Sequence, residues 1–231
     1  RAPCATPAAF AGEQVIDELA ARLGLDPIEL RLRNTAREGT SLADGYVQTN
    51  IGAREVLEAA RASAHYRSKL TGANRGRGMA HGFWGNWGAQ PSCVMRVTAD
   101  GTVSLVTGNV DVTGTRTSLA MQAAEALGLP ADRVRARVGD SDSTGYANVS
   151  AGSRTTVAFG LAVIKAAGDL LSQLKSRAAI LLETTGDAIE YKQGLFATRD
   201  GKAKVSFAEL AARAGSTGGP VTVAASVKPR G

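Results

Sequence analysis

Two strand–loop–helix units in tandem constrain this chain more than any other feature. In the first, Val103, Leu105 and Val106 mark a strand, Gly108-Asn109-Val110-Asp111-Val112-Thr113-Gly114 a polar turn, and Thr115-Arg116-Thr117 the opening of a helix. In the second, Val134 and Val138 mark the strand and Gly139-Asp140-Ser141-Asp142-Ser143-Thr144-Gly145 the loop, and residues 150–156 lead into another helix. A helix start carries unpaired N–H groups and a partial positive charge, so glycine and hydroxyl residues there suit an anionic, oxygen-rich ligand. Two such starts in tandem suggest a cofactor cradle. The same residues are ordinary N-capping chemistry, and taken alone they leave both readings open. Neither loop is a known phosphate fingerprint: G-x-x-x-x-G-K-[ST] is absent, and no G-x-G-x-x-G stands between a strand and a helix.

The rest of the chain arranges itself around these units. Val15, Ile16, Leu19 and Leu23 recur at helical spacing over residues 8–23, and Gly24 stops that helix. Asp26-Pro27-Ile28-Glu29 opens a second, short helix to about Arg33, with an acidic cap, proline at the first position and glutamate three residues after the cap. Residues 35–52 read as a polar connection and 53–66 as a third helix. Short strands are expected at 78–84 and 92–98, the second joined by the turn Ala99-Asp100-Gly101-Thr102 to the strand at 103–107. Gly128 and Pro130 stop the helix before the strand at 134–138, and a long apolar helix runs from Thr155 to about Glu183. Residues 189–197 and 202–205 form a hairpin around Arg199-Asp200-Gly201, and Ser206 caps a last helix over 207–214. The order predicts an α+β fold: an antiparallel sheet with helices packed on one face, a two-layer sandwich preceded by a helical segment. Three regions follow. Residues 1–72 are a helical segment linked to an upstream lobe, 73–214 an α+β domain, and 215–231 a Gly/Pro/Ser-rich linker to a further part.

Composition narrows the class. With 231 residues and 44% apolar content the chain can bury a sizeable core. The net charge of +6 is spread thinly, with Arg75 and Arg77 the only tight basic group, and aromatics make up 5% without a stacking run. Nucleic-acid binding is therefore not expected. No apolar run in the sequence approaches the ~20 residues that span a bilayer. The opening Arg1-Ala2-Pro3-Cys4 has no initiating methionine, which suggests a fragment or processed subunit.

Candidate chemistry outside the loops is sparse. Cys4 and Cys93 lack any C-x-x-C spacing, and His65 and His81 have no H-E-x-x-H context, so no metal ligands are expected in this chain. Asp140 and Asp142 lack the rest of a calcium loop and read as turn formers. Glu13 sits among charges beside the apolar stripe of its helix and reads as structural. Phe83-Trp84-Gly85-Asn86-Trp87-Gly88 either lines a channel or packs against a neighbouring lobe.

Several segments together resemble the molybdenum-cofactor-binding subunit of the xanthine dehydrogenase/aldehyde oxidase family. They are the opening RAPCATPAAFAGEQVIDELA from Arg1, LGLDPIELRLRN from Leu23, GRGMAHGFW from Gly76, GTVSLVTG from Gly101, GTRT from Gly114 and GSRTT from Gly152, in family order and spacing. The resemblance implies a fragment or split subunit of a molybdopterin-dependent oxidoreductase that hydroxylates aldehydes or N-heterocycles. It implies a molybdenum–molybdopterin cofactor, or its cytosine dinucleotide form, and 2Fe-2S and FAD groups on partner subunits or domains. It implies further upstream and downstream molybdenum-binding segments, and a cytoplasmic or periplasmic setting.

By position, Arg1 matches an arginine that orients substrate, and Arg33 one near the pterin. Thr113 and Gly114 fall where many relatives carry Gln-Gly, and Ala151, Gly152 and Ser153 match a backbone stretch lining the same centre. Thr113 stands in place of the glutamine and Cys4 in place of a glycine. Ala2 stands where carbon monoxide dehydrogenases carry a copper-binding cysteine, so that oxidation is not expected. Relatives draw their catalytic base from a Gly-Glu motif far downstream, to which Glu13 is not equivalent, so this chain alone is expected to be inactive. The alternative is a non-catalytic structural module that keeps the fold without binding cofactor.

Overall fold

A computed structural model describes residues 4–84 and 88–228, which form two compact units divided between Trp84 and Gly85. In the first unit, α1 (Ala5–Leu23) ends at Gly24, whose φ of 62° lets its N–H turn back to the carbonyls of Ala20 and Ala21. The next helix, α2 (Pro27–Asn34), starts as its sequence dictates: the Asp26 carboxylate accepts from the Ile28 and Glu29 amides at 2.9 and 3.1 Å. The same carboxylate accepts the Tyr66 hydroxyl at 2.7 Å. Burial and that bond push the Tyr66 phenol up to about 12. The third helix of the sequence is broken at Ser63 into α3 (Ala53–Ala62) and α4 (Ala64–Arg67), because the Ser63 side chain caps a new helix by accepting from the Tyr66 amide. A small core of Ile28, Leu32 and Leu57 holds these helices together, with Tyr66 and Met79 packed against it.

Arg31 is buried beside that core and engaged on every side. Its guanidinium meets Glu13 Oε2 at 2.8 Å and Asp17 Oδ1 at 2.9 Å and donates to the carbonyls of Pro27 and Met79. Glu13 also accepts the His81 amide at 2.6 Å, so its role is structural, as its sequence context implies. The same contacts explain why 78–84 forms no strand. Its backbone is held by side chains of α1 and α2 rather than by a ladder.

The second unit is built on a four-stranded sheet of β1 (Ser92–Val97), β2 (Val103–Thr107), β3 (Val134–Val138) and, after three further strands, β7 (Thr222–Ser226). Its order is β3-β2-β1-β7. Strand β1 is antiparallel to β2 and β7, but β2 and β3 are parallel, with Thr107 opposite Val138, so the sheet is mixed rather than antiparallel throughout. The cause is α5 (Thr115–Leu127), a crossover helix that returns the chain to the same end of the sheet. Residues 215–231 are not simply a linker: β7 closes the sheet against β1. Residues 189–197 are not one strand either. Gln193 and Gly194, both at positive φ, fold them into β4 (Ile189–Lys192) and β5 (Leu195–Thr198), which pair with β6 (Lys204–Ser206) as a separate antiparallel sheet. Ser206 and Glu209 form the capping box that starts α7 (Phe207–Ala212).

One face of the four-stranded sheet is covered by α5 and by α6 (Thr155–Leu181), and the core between them includes Met95, Leu105, Leu119, Phe159, Leu170 and Val223. At 27 residues and mean hydropathy 1.4, α6 is long and apolar enough to cross a membrane, but half of that apolar stretch is buried against the sheets, the mark of a core helix.

Cys93 lies under this helix layer at 2% exposure, and burial pushes its thiol up to about 12. At pH 8 only about one thiol in 10⁴ is then ionised. Iodoacetamide at that pH is expected to label exposed Cys4 within minutes and to leave Cys93 unmodified until urea unfolds the unit, as read by peptide mass spectrometry.

Candidate functional site

The parallel pair places the two diagnostic loops side by side. Strands β2 and β3 run the same way, so the loops that follow Thr107 and Val138 leave the sheet at one end. In open sheets the space beyond the carboxyl ends of parallel strands is where ligands bind. The loops are locked together by close approach. A Cβ added at Gly108 would stand 2.8 Å from Ala147 Cβ and 3.0 Å from Thr144 Oγ1 of the second loop, and one at Gly139 would stand 2.9 Å from Val106 Cγ1 of β2, so only glycine admits this packing.

The first loop is held from beneath by a buried polar chain. The Thr107 hydroxyl donates to Asn109 Oδ1 at 2.6 Å, and the Asn109 amide donates to the Val110 carbonyl and, at 3.3 Å, to the Thr115 hydroxyl. Thr113 and Gly114 then take φ of 55° and 78°, turning the chain into α5. Both are exposed, and a Cβ at Gly114 would meet open space. The Thr113 hydroxyl donates to its neighbour Val112 at 2.7 Å, so the side chain lies along its own backbone. The Asp111 carboxylate accepts the Arg116 amide at 3.1 Å and pairs with the Arg116 guanidinium at 3.2 Å. The positive end of α5 thus already holds an anion from its own chain.

The second loop begins as the turn its aspartates suggest. Asp140 Oδ1 accepts the amides of Asp142 and Ser143, and bonds from Ser143 above all hold the Asp140 carboxyl below the usual carboxylate range. It ends at Ala151-Gly152-Ser153-Arg154, where Gly152 and Ser153 both adopt φ near 60° and the Arg154 amide returns to the Ala151 carbonyl. Arg154 itself is 1% exposed. Its guanidinium donates to Val149 O at 2.7 Å and Ala89 O at 2.6 Å and lies 6.0 Å from the Phe159 ring centre. The first turn of α6 contains no acidic residue, so here the helix dipole and a buried guanidinium add with the same sign. Successive amides of residues of opposite hand form an anion-binding concavity, and left-handed Ser153 followed by right-handed Arg154 is such a pair at the sheet's ligand end. The first turn of α6 carries no acidic residue and so suits an anionic, oxygen-rich group, whereas the Asp111 carboxylate already sits at the start of α5.

Thr113 and Gly114 thus lie on the loop that follows β2, and Ala151, Gly152 and Ser153 on the loop that follows β3, two loops that leave the sheet at the same end. Arg33 lies in the other unit, exposed on α2 and paired with Glu29 at 2.9 Å, and Arg1 falls outside the described residues. Among the described residues no cluster of three His, Cys, Asp or Glu could hold a metal ion. Sequence reasoning assigned no role to Arg154, because an arginine in a polar loop reads as solvated, and it missed the self-pairing of Asp111.

Residues 48–230 match the family described as molybdopterin cofactor-binding domain. This chain belongs to that family. The molybdenum-binding subunit PaoC of an Escherichia coli aldehyde oxidoreductase is 34% identical over 165 residues, covering 66% of this chain and 21% of its own length. The large subunit of nicotine 6-hydroxylase from Paenarthrobacter nicotinovorans is 28% identical over 233 residues, covering 89% of this chain and 28% of its own length. Among solved structures, carbon monoxide dehydrogenase from Oligotropha carboxidovorans superposes with a TM-score of 0.75 at 20% identity, over 97% of this chain and 32% of that one, which shows the shared fold. The molybdopterin-binding chain described here thus spans between a fifth and a third of the length of these relatives.

Proposed function

We propose that this chain supplies part of the cofactor cradle of a molybdenum hydroxylase-type oxidoreductase acting on aldehydes or N-heterocycles. The observation that carries the proposal is the start of α6: an uncapped helix end, two successive left-handed residues and a buried arginine, in a chain of the molybdopterin-binding family. The backbone at Ser153 would hold the cofactor's anionic, oxygen-rich part, and Arg154 would fix a positive charge behind it without leaving the protein interior. Asn109 and its hydroxyl partners keep the neighbouring loop rigid, and Thr113 offers its hydroxyl where relatives place a glutamine. Arg33 contributes near the pterin and Arg1 orients substrate. When bound, the molybdenum cofactor supplies the two-electron oxidation chemistry.

The names of the relatives, an aldehyde oxidoreductase, a nicotine hydroxylase and a xanthine dehydrogenase, support this substrate class. Partner subunits in a cytoplasmic assembly would carry the 2Fe-2S and FAD groups that supply the electron path, and turnover would need that complete assembly rather than this chain alone. Ser153→Asp tests the reading, since aspartate tolerates the left-handed backbone but places a carboxylate at the proposed anion site. Molybdenum and pterin content of the complete native assembly should fall about two- to fivefold, the factor that corresponds to the roughly 0.3–1 kcal/mol of a charge at a helix end. Unchanged content sinks the site. An unmutated assembly without molybdenum would establish the chain as a non-catalytic scaffold.

A further inference from the structure

Helices cover one face of the four-stranded sheet, and the opposite face carries a different set of side chains. Strand alternation turns Arg96 of β1, Ser104 of β2, Arg135 and Arg137 of β3, and Thr222 and Ala224 of β7 away from the helix layer. The register sets Arg135, Ser104, Arg96 and Thr222 in one row across all four strands, with Arg137, the half-buried Val106 and Val94, and Ala224 in the next. The loop after β3 folds over the far end of this face, where Gly145 approaches Ser92 and Gly139 closes on Val106, and the arginines themselves stay exposed. All three arginines are exposed, and among the described residues none forms an ion pair. Asp100 lies close enough to feel Arg135, but its carboxylate already accepts from Thr98 and Thr102.

Arg135 and Arg137 lie on a free edge strand, where charge commonly blocks unwanted pairing. That explanation does not reach Arg96, which stands on β1 between β2 and β7. Strand spacing puts Arg135 and Arg137 about 7 Å apart and Arg135 and Arg96 about 10 Å apart, a flat triangle of like charge over small side chains. We propose that this face docks an acidic protein segment in extended conformation along β3. Carboxylates at alternate positions of the segment would meet Arg135 and Arg137, and a further one would reach Arg96. Alternate residues of a strand repeat at the spacing of the arginine pair. The exposed rows hold no aromatic side chain on which a nucleic-acid base could stack. A second copy of this chain would bring the same three positive charges to the contact.

The test uses the 231-residue chain and a labelled synthetic peptide with glutamate at alternate positions, read by fluorescence anisotropy at low and high salt. Binding should weaken with salt and fall at least about tenfold in the Arg96→Gln/Arg135→Gln/Arg137→Gln variant, the expected sum of a few partly exposed ion pairs. Arg199→Gln, on the separate three-stranded sheet, should bind as the parent does. A peptide of the same composition with its glutamates consecutive should bind at least several-fold more weakly. Equal binding by the two peptides, or by the triple variant, overturns the proposal. So does tighter, arginine-dependent binding of a single-stranded oligonucleotide or of phosphatidylserine vesicles, or self-association that the triple variant abolishes. If the triple variant loses its circular dichroism spectrum, Arg96→Gln alone carries the test, with a loss of at least about twofold expected.

Discussion

Ending the chain after Gly219 is expected to abolish cooperative unfolding of the second unit. The truncation removes Pro220, Val221, β7 and the residues after it, and with them the side chains of Val221, Val223 and Ala225, at 4%, 6% and 5% exposure, which pack under the helix layer. Each buried valine contributes about 1.5–3 kcal/mol, and each lost ladder bond about 1 kcal/mol more. The total, roughly 5 kcal/mol or more, is comparable with the whole stability of an ordinary domain. The loss also turns β1 into an edge that presents Cys93 and Met95 along a bare ladder, so the truncated chain should aggregate. Urea unfolding followed by circular dichroism decides the matter: an unchanged midpoint would make β7 dispensable, as a linker would be. Val223→Asp offers a milder version, with a loss of about 3–5 kcal/mol from a charge placed in the core.

Arg154→Ala should cost about 3–5 kcal/mol, although the residue stands in a loop. The substitution removes two part-buried hydrogen bonds from a charged donor, to the carbonyls of Val149 and Ala89, each worth about 1.5–3 kcal/mol, and the guanidinium over the Phe159 ring. Arg154→Lys should recover part of this loss, because lysine keeps the charge but cannot reach two carbonyls with one planar fork. The urea midpoint of the alanine variant should drop with little change in slope. A drop below about 1 kcal/mol would mean the loop is held by other contacts. In the complete assembly the same variant should also lower molybdenum content, since it removes the fixed charge behind Gly152 and Ser153.

What could be read from the residues was local. Asp26-Pro27, Gly24, Gly128 and the Ser206/Glu209 pair announce helix ends through chemistry that lies within a few residues, and the structure places those ends accordingly. The turn at Asp100-Gly101 and the α+β class followed in the same way. Pairings set by distant residues were harder. Thr222–Ser226 is a run of threonine, valine, alanine and serine with little strand character of its own, and it becomes a strand because β1 offers it a ladder. Gln193-Gly194 hides a reversal, because glutamine is an unusual residue at positive φ. At the site, the loops and their glycines were visible, and the structure brings Thr113–Gly114 and Ala151–Ser153 to one end. Which of the two helix starts suits an anion could not be read, because it depends on where the Asp111 carboxylate and the Arg154 guanidinium turn in space.

The seam between β1 and β7 also sets the order in which the unit can form. Gln90 and Ser226 are hydrogen-bonded although 136 residues separate them, so the seam closes only after everything between them has been made. Long-range pairings of this kind carry a loop-closure cost and slow folding relative to local helix contacts. A nascent chain would carry β1 with an unpaired edge until the residues between it and β7 have been made, which makes the time before β7 emerges a period of exposure to misassembly.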